Sequence, residues 1–384
     1  MRLVDELLRL SATDLANHLG CAHLSQLSRA AAEGRARKPK WDDPVAELLR
    51  ERGIEHEAAY LAHLRAVRGL DVVEIAVAEG ENGVEKTVAA MRAGAQLIYQ
   101  APLGNERWYG RADFLTKTAL PSELGAWSYE VTDAKLATET RAGTILQLCV
   151  YSELLADIQG MWPERAHVVA PHHDFKPEPY RLADYWAYYR LIKRRLEAAL
   201  GPDTVATYPE PVLQCEVCAW WGPCNTRRRA DDHLCFVAGI SRMQIKELRR
   251  LDVNSLERLA RLRDVPKPAR GSRDALARVR DQAAIQLKGR QLRQPQYEIL
   301  EPVGAEHGLA MLPAPATHDI FLDLEGDRLA AEGGREYLFG YVTSANDDYV
   351  GVWATNPAEE KRAFEQIVDL ILATFRAHPD IHVY

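Results

Sequence analysis

Three short stretches decide the fold: Gly110–Leu115 reads GRADFL, Tyr129–Lys135 reads YEVTDAK and Gln147–Tyr151 reads QLCVY. The first two lie in runs rich in aromatic and branched residues, at 108–115 and 127–136, which a Pro/Ser/Gly region separates, so each run predicts a strand. The third lies where apolar residues recur at helical spacing, which predicts a helix. The sequence therefore predicts two strands followed by a helix at the centre of the fold.

The two predicted strands carry acidic residues that can meet. Side chains alternate across a strand, so Asp133 and Lys135 point to the same face, and Asp113 can lie beside Asp133 if the strands are neighbours. Two carboxylates in contact repel each other unless a cation lies between them, and Mg²⁺ or Mn²⁺ is the usual ion in such an oxygen site. Lys135 is then placed to orient or deprotonate a water, or to stabilise charge on a phosphate. Glu130 lies an odd number of residues from Asp133, so we expect it to face away.

The helix that follows presents two polar residues on one face. Gln147 and Tyr151 are four residues apart, so they are neighbours on the helix surface. An amide and a phenol beside the acidic residues could hold a nucleic-acid backbone. The alternative is an amphipathic helix that packs on a sheet and carries two ordinary polar residues.

This order of residues resembles the RecB-like branch of the PD-(D/E)xK nuclease family, which has Asp, then Asp-x-Lys on a following strand, then Gln-x-x-x-Tyr on the next helix. That family also has a histidine in a Gly-x-x-His-Glu context on an upstream helix. Here Gly53–Glu57 reads GIEHE, inside a predicted helix from Pro44 to about Ala66. The family often has Glu-x-Lys where this chain has an aspartate at position 133.

The resemblance implies a role for each matching residue. His56, Asp113 and Asp133 would bind the metal, with Asp113, Asp133 and Lys135 forming the catalytic group. Lys135 would act on the water, and Gln147 and Tyr151 would contact DNA.

Length and composition limit the class of protein. The chain has 384 residues, which indicates two or three domains. No apolar run approaches the roughly 20 residues that span a membrane, and the charged, amphipathic segment Met1–Leu10 differs from a signal peptide. We therefore expect a cytoplasmic protein without a membrane partner. In that compartment cysteines stay reduced, and clustered ones bind metal more often than they pair.

The charge is unevenly distributed. The formal net charge is −7, yet Thr226–Pro295 contains 18 Lys/Arg and 8 Asp/Glu, a balance of +10, which leaves −17 for the remainder. A basic middle in an acidic chain is compatible with nucleic-acid binding. The alternative is a set of solvated arginine-rich helices.

A cysteine motif follows the predicted core. Cys215–Cys224 reads CEVCAWWGPC, three cysteines in ten residues. Three thiolates need a fourth ligand, and Cys21 and Cys235 are the candidates. Several RecB-like nucleases hold a [4Fe–4S] cluster with one cysteine before the nuclease core and three after it, so the resemblance implies Cys21, Cys215, Cys218 and Cys224. Zn²⁺ is the alternative, because four thiolates also suit it.

Other elements follow from local patterns. Residues 1–30 predict two short helices, the second beginning near Ser11 and ending near His18, and Cys149 is expected in the core. Further strands are predicted at 70–76, 95–102 and 165–171, and further helices at 84–93, 180–200, 239–262 (two short helices) and 274–292. The pair at 239–262 resembles a helix-hairpin-helix unit, although a plain helical linker is the alternative.

The last part of the chain predicts a separate domain. Residues 301–317 contain three prolines and little periodicity, which indicates a linker. Asp319–Gly326 reads DIFLDLEG, a buried-strand pattern with Asp323 and Glu325 on one face, followed by strands at 337–343 and 349–354, a helix to about 375 and the start of a strand at 381–384. This order resembles the opening of a ribonuclease-H-like (DEDD-type) exonuclease domain, so we expect a truncated domain with an incomplete second site.

The sequence thus predicts an α/β fold. A restriction-endonuclease-like mixed sheet flanked by helices is expected at 1–235, a basic helical module at 236–300, a linker at 301–317 and the start of a ribonuclease-H-like domain at 318–384. The expected function is a Mg²⁺- or Mn²⁺-dependent deoxyribonuclease, most simply an exonuclease on single-stranded DNA, in DNA repair or recombination. Relatives are often joined to helicase domains. The alternative is a non-catalytic nucleic-acid-binding protein with a structural Fe–S or Zn site.

Overall fold

The computed structural model describes residues 1–40, 42–76, 82–137, 139–171, 174–201, 204–300, 304, 306, 308–328, 330 and 334–384. Part of the predicted linker at 301–317 therefore lies outside the described residues. The chain forms two compact units, Met1–Gln296 and Tyr297–Tyr384, and each is described by itself.

The first unit begins with a hairpin of β1 (Arg2–Val4) and β2 (Leu7–Arg9), which are antiparallel. The helix predicted for the first ten residues is therefore wrong. Asp5 and Glu6 have φ of 47° and 64°, the positive values that a two-residue hairpin turn needs. Acidic residues in a short amphipathic run do not distinguish such a turn from a helix.

Three helices follow the hairpin: α1 (Ala12–Gly20), α2 (Ala22–Ala32) and α3 (Pro44–Ala66). Ser11 caps α1 in a capping box with Asp14, as the sequence indicates, and the helix ends two residues after His18. The carboxylate of Asp43 caps α3, and Pro44 occupies its first turn, where a missing N–H costs nothing. The predicted bounds of α3 are confirmed.

A six-stranded mixed sheet forms the centre of the unit, in the order β3-β4-β5-β6-β7-β8. The pairs β3/β4 and β6/β7 are parallel and the others are antiparallel. Its strands are β3 (Val72–Glu74), β4 (Leu97–Gly104), β5 (Tyr109–Thr118), β6 (Ser128–Ala134), β7 (Arg165–Val169) and β8 (Glu178–Arg181). The helices between them are α4 (Gly83–Arg92) and α5 (Ala142–Gln159), and α6 (Trp186–Ala199) follows β8. The expected mixed α/β sheet flanked by helices is confirmed.

Helices cover both faces of the sheet. Phe114 and Leu115 are consecutive on β5, so they point to opposite faces. Phe114 packs edge-on against Tyr60 of α3 at a centroid distance of 5.0 Å, whereas Leu115 belongs to the main core together with Leu148 of α5. Cys149 is fully buried in that main core, as expected.

The predicted helix at 180–200 begins later than expected. Strand β8 and a 3-10 turn at Leu182–Asp184 occupy its first part, and α6 starts at Trp186. Tyr180 pairs with Ala166 of β7, so an available sheet edge overrides the local helical pattern.

A helical segment with its own apolar core follows the sheet. Its helices are α7 (Trp221–Ala230), α8 (Arg242–Arg250), α9 (Leu256–Ala260) and α10 (Arg273–Leu292). Leucines and valines between Leu234 and Ala283 form a core cluster separate from the sheet cores. In the described ranges, none of the helices combines the length and the apolar character that crossing a bilayer requires.

The second unit is a three-stranded antiparallel sheet with one helix. The strands are β9 (Ile320–Asp327), β10 (Arg335–Thr343) and β11 (Asn346–Trp353), in the order β11-β10-β9, and α11 (Pro357–Ala377) follows them. Val383 forms a parallel bridge with Ile320, as expected for a beginning strand. The expectation that β9 is buried is wrong, because only Ile320 is buried and Asp323 and Glu325 are exposed. The small core of this unit lies between the sheet and α11, and of the apolar side chains in the middle of β9 only Leu322 packs against it.

The separate core of the helical segment can be tested with two leucines of α10. Leu276 is 2% exposed and Leu292 is 53% exposed. We expect Leu276→Ala to lower the free energy of unfolding by about 2–5 kcal/mol, because it leaves a cavity. Leu292→Ala is the matched control and should change it by no more than about 0.5 kcal/mol. Urea titration followed by circular dichroism measures both; equal effects would contradict the assigned core.

Candidate functional site

The two aspartates of the predicted metal site lie side by side. Strand β5 pairs with β6 so that Phe114 is opposite Thr132 and Leu115 is opposite Val131, and the same register places Asp113 next to Asp133. The backbone N–H of Ala134 donates to Oδ2 of Asp113 at 2.9 Å. The expected contact between the two acidic residues is therefore present, with Asp113 on β5 and Asp133 near the end of β6.

The contact carries an electrostatic cost in the metal-free chain. Burial raises the pKa of Asp113 well above its usual value, and the charge of Asp133 raises it further. Asp133 is only 3% exposed, and Asp113 is partly buried beside it. Two carboxylates in contact at a largely buried position form an environment that a cation stabilises.

Lys135 lies beside the pair. Its Nζ is 2.7 Å from Oδ2 of Asp133, so the ammonium and the carboxylate form an ion pair. Burial lowers the pKa of Lys135, but Asp133 and Asp113 outweigh that effect and raise it. The lysine is therefore held as an ammonium at neutral pH, which suits it to stabilise negative charge.

His56 lies next to the same strand end without contacting the carboxylates through Nε2. That nitrogen binds the carbonyl of Val169 at 3.0 Å, and the same carbonyl accepts the N–H of Lys135 at 3.0 Å. The ring of His56 also stacks on Phe175 at a centroid distance of 5.9 Å. When Nε2 donates to a carbonyl, Nδ1 is left with the lone pair, and metal-binding histidines commonly have this arrangement.

Glu57 is a site residue to which the sequence analysis assigned no role. Its charge raises the pKa values of both Asp113 and Lys135, and its carboxylate accepts a hydrogen bond from the side chain of Gln100. The position of Glu57 directly after His56 in GIEHE was the available indication.

The backbone of β4 is strained opposite Asp113. Strand β4 pairs Tyr99 with Phe114 and Ala101 with Ala112, which leaves Gln100 beside Asp113. Gln100 has φ of 54°, a left-handed conformation that is uncommon for a non-glycine residue. Nη1 of Arg111 donates to the carbonyl of Gln100 at 2.6 Å and to that of Ile75 at 3.0 Å, which holds this conformation in place. Such strain often occurs at functional sites.

Tyr151 of α5 reaches the acidic pair. Its pKa is raised by burial and then by the charges of Asp133 and Asp113. The ring packs on Gly110, where a Cβ would lie 2.5 Å from Cε1 of Tyr151, so glycine at this position makes room for the phenol. Gln147 is half-buried one turn earlier on the same helix.

The four cysteines implied by the resemblance line one cavity. Cys21, between α1 and α2, lines a small cavity of about 20 Å³ together with Cys215, Cys218 and Cys224. Burial raises the pKa of Cys224 to about 11, and Cys218, Cys21 and Cys215 contribute to the increase while Arg228 opposes it. The rival Cys235 instead packs against the core of the helical segment.

Other expected residues have different positions. Glu130 accepts hydrogen bonds from the N–H of Arg165 at 3.1 Å and binds His167 at 2.8 Å, so it faces away from the acidic pair as expected. Asp323 and Glu325 belong to the second unit and are exposed. Within the part of the chain that the structure describes, no three His, Cys, Asp or Glu side chains already stand in the arrangement of a metal site.

A scan against protein-family models finds no match for this chain, and a search of curated proteins also finds none.

The electrostatic cost at Asp113 predicts a pH dependence. A carboxyl whose folded pKa is raised stabilises the fold below its unfolded pKa, and this stabilisation is lost as the pH rises through the folded value. We therefore expect Asp113→Asn, without divalent cations, to raise the unfolding temperature at about pH 8, with a smaller gain at about pH 5. Differential scanning calorimetry measures the difference.

Asp157→Asn is the control, because Asp157 is exposed on α5. It should leave the pH dependence unchanged. An Asp113→Asn variant less stable than wild type at the higher pH would show that the buried charge is already compensated.

Proposed function

We propose that the chain is a divalent-cation-dependent nuclease of the RecB-like PD-(D/E)xK type. The observation that carries the proposal is the contact of Asp113 with Asp133 next to the ammonium of Lys135. A shared acidic pocket with a fixed positive charge fits a phosphodiester, whose hydrolysis needs stabilisation of developing negative charge.

The residues present fit Mg²⁺ or Mn²⁺. The acidic pair supplies hard oxygen ligands, and the contact of Asp113 with Asp133 raises the pKa of Asp113, a repulsion that a divalent cation would relieve. His56 would contribute Nδ1, since Nε2 is bound to Val169. A bound divalent cation would lower the pKa of a water and neutralise phosphate charge.

The remaining side chains have separate tasks in this proposal. Lys135 holds its proton and therefore acts by orienting water and stabilising charge on the phosphate. Tyr151, with its raised pKa, stays protonated and donates its O–H toward a phosphate oxygen. Gln147 lies one turn away on α5 and extends the same contact surface along the DNA strand. Glu57 adds a further carboxylate whose charge reaches Asp113.

The partner we propose is DNA in single-stranded form. A groove of about 640 Å³ in the basic helical segment is lined by Arg229, Arg290 and Arg293 together with glutamine side chains. Arginines and amides suit a sugar-phosphate backbone. Such a groove supplies affinity that does not depend on base sequence, as a nuclease acting on many sequences requires.

The cofactor we propose for the cysteine cavity is a [4Fe–4S] cluster, with Zn²⁺ as the alternative. Cys21 lies before the sheet in the chain and the other three cysteines lie after it, so a bound group would join the two segments that flank the sheet in sequence. The resemblance also supports further proposals: a cytoplasmic role in DNA repair or recombination, association with a helicase domain, and a ribonuclease-H-like second unit in which Asp323 and Glu325 are part of an incomplete site.

The second candidate function is nucleic-acid binding without cleavage. The basic groove favours it, because that groove needs no metal and lies in a segment with its own core. Lys135 argues for cleavage, because a purely structural acidic pair does not require an ammonium within 2.7 Å.

Cleavage assays separate the two functions. We expect the full chain to cut single-stranded DNA with Mn²⁺ or Mg²⁺, and Asp133→Asn and Lys135→Met to lower kcat by about 10²–10³-fold, because each removes a group that stabilises the transition state. Lys361→Met is the control, since Lys361 is exposed in the second unit.

Both site variants should keep the circular dichroism and the DNA affinity of wild type. A wild-type chain that binds DNA but cleaves neither DNA nor RNA with either ion would establish the non-catalytic function instead. An Asp133→Asn variant with full activity would remove the acidic pair from the mechanism.

A further inference from the structure

A buried arginine lies beside the cysteine cavity. Arg228 is on α7, four residues after Cys224, so the two residues share a helical face. The side chain is only 3% exposed. Arg228 belongs to the run Arg227-Arg228-Arg229, which directly follows the cysteine motif. Its burial distinguishes it from Arg227, which pairs with Asp231 at the surface.

The guanidinium of Arg228 is incompletely satisfied. Nη1 donates to the carbonyl of Pro209 at 3.4 Å and approaches Sγ of Cys215 at 3.9 Å, both at the long limit of hydrogen bonding. Nε is buried and has no partner among the described residues. A buried cation in this state is costly unless an anion is present nearby.

The acidic residue of the same cavity does not provide that anion. Glu210 lines the cavity, but its carboxylate is 2.6 Å from Nη1 of Arg249 and 3.4 Å from Nε2 of His233. Metal binding converts the thiol groups around Arg228 to thiolate anions. Four thiolates leave a net negative charge with either [4Fe–4S]²⁺ or Zn²⁺, so a buried guanidinium in this position is the matching countercharge.

We propose that Arg228 is a positioning residue for the thiolate-bound group, which it serves by compensating the negative charge and by donating a hydrogen bond to Sγ of Cys215. The proposal rests on the cofactor part of the proposed function and is independent of the nuclease part. Donors and charges next to ligating sulfurs raise metal retention and set the reduction potential.

The test compares the full chain with Arg228→Met, Arg228→Lys and Arg227→Met, all purified anaerobically. Iron, sulfide and zinc per chain are measured first, then the rate of metal loss to a chelator, and for iron the reduction potential of the cluster. We expect Arg228→Met to hold the metal about 10- to 100-fold less tightly. Its potential should be more negative, because the reduced cluster loses a compensating charge.

The other two variants separate charge from packing. Arg228→Lys keeps the charge but lacks the planar fork, so its potential should remain near that of wild type while its metal loss is faster. Arg227→Met should match wild type, since Arg227 pairs with Asp231 at the surface. If the wild type carries zinc, zinc loss to the chelator is the readout for each variant.

Three outcomes would overturn the proposal. One is an Arg228→Met chain with a lower unfolding temperature but unchanged metal loss and potential, which indicates packing alone. A second outcome is an Arg228→Lys chain that loses metal at the wild-type rate. This outcome decides the test if Arg228→Met does not fold. The third is a wild type that binds neither iron nor zinc. A chain that binds the metal as expected but cleaves no DNA would contradict the nuclease proposal. The proposed role of Arg228 would still be supported.

Discussion

The contact between Asp113 and Asp133 is the constraint on which the account of the first unit depends. Antiparallel pairing of β5 with β6 brings the two carboxylates together, and helices on both faces of the sheet remove them from water. The ammonium of Lys135, 2.7 Å from Oδ2 of Asp133, offsets only part of the resulting repulsion, since the pKa of Asp113 is still raised well above its usual value. A fold that keeps such a pair gains stability when a cation binds, because the binding energy is available only to the folded state.

At the cysteine cavity, burial again disfavours the charged form of the candidate metal ligands, which here are thiols. Burial and neighbouring thiols raise the pKa values of Cys218 and Cys224, so these groups also remain protonated until a metal compensates them. Carboxylate oxygens select hard ions such as Mg²⁺ and Mn²⁺, whereas thiolates select softer ones such as Zn²⁺ or the iron of a cluster. Under the proposed function, the two candidate sites of this unit would not compete for the same ion, one being suited to hydrolysis and the other to joining distant parts of the chain.

Much of the fold could be predicted because local chemistry and tertiary context agree. The bounds of α3 follow from the Asp43 cap and Pro44, and the neighbouring strands of Asp113 and Asp133 follow from alternation and short connections. The predictions failed where contacts with other segments, rather than the local sequence, decide the backbone conformation. The turn at Asp5 and Glu6 needed positive φ values that acidic residues rarely adopt, and Tyr180 joined a sheet edge rather than the following helix.

The site was less completely predictable for a related reason. Spacing identifies residues that share a face, but the roles of Gln100, Glu57 and Arg228 arise from contacts between segments that are distant in the sequence. The left-handed conformation of Gln100 depends on Arg111, and the burial of Arg228 depends on Pro209 and the cysteine cavity. No sequence pattern marks these positions beyond their proximity to a motif.

The most direct test of the acidic pair is calorimetric titration of the full chain with Mn²⁺ in buffers of different ionisation enthalpy. A saturable site should appear, and Mn²⁺ binding should displace the proton that the raised pKa of Asp113 retains, with less proton release as the pH rises. Asp113→Asn should weaken binding and abolish that release. Absence of saturable binding, or identical binding and proton release in the variant, would contradict the account.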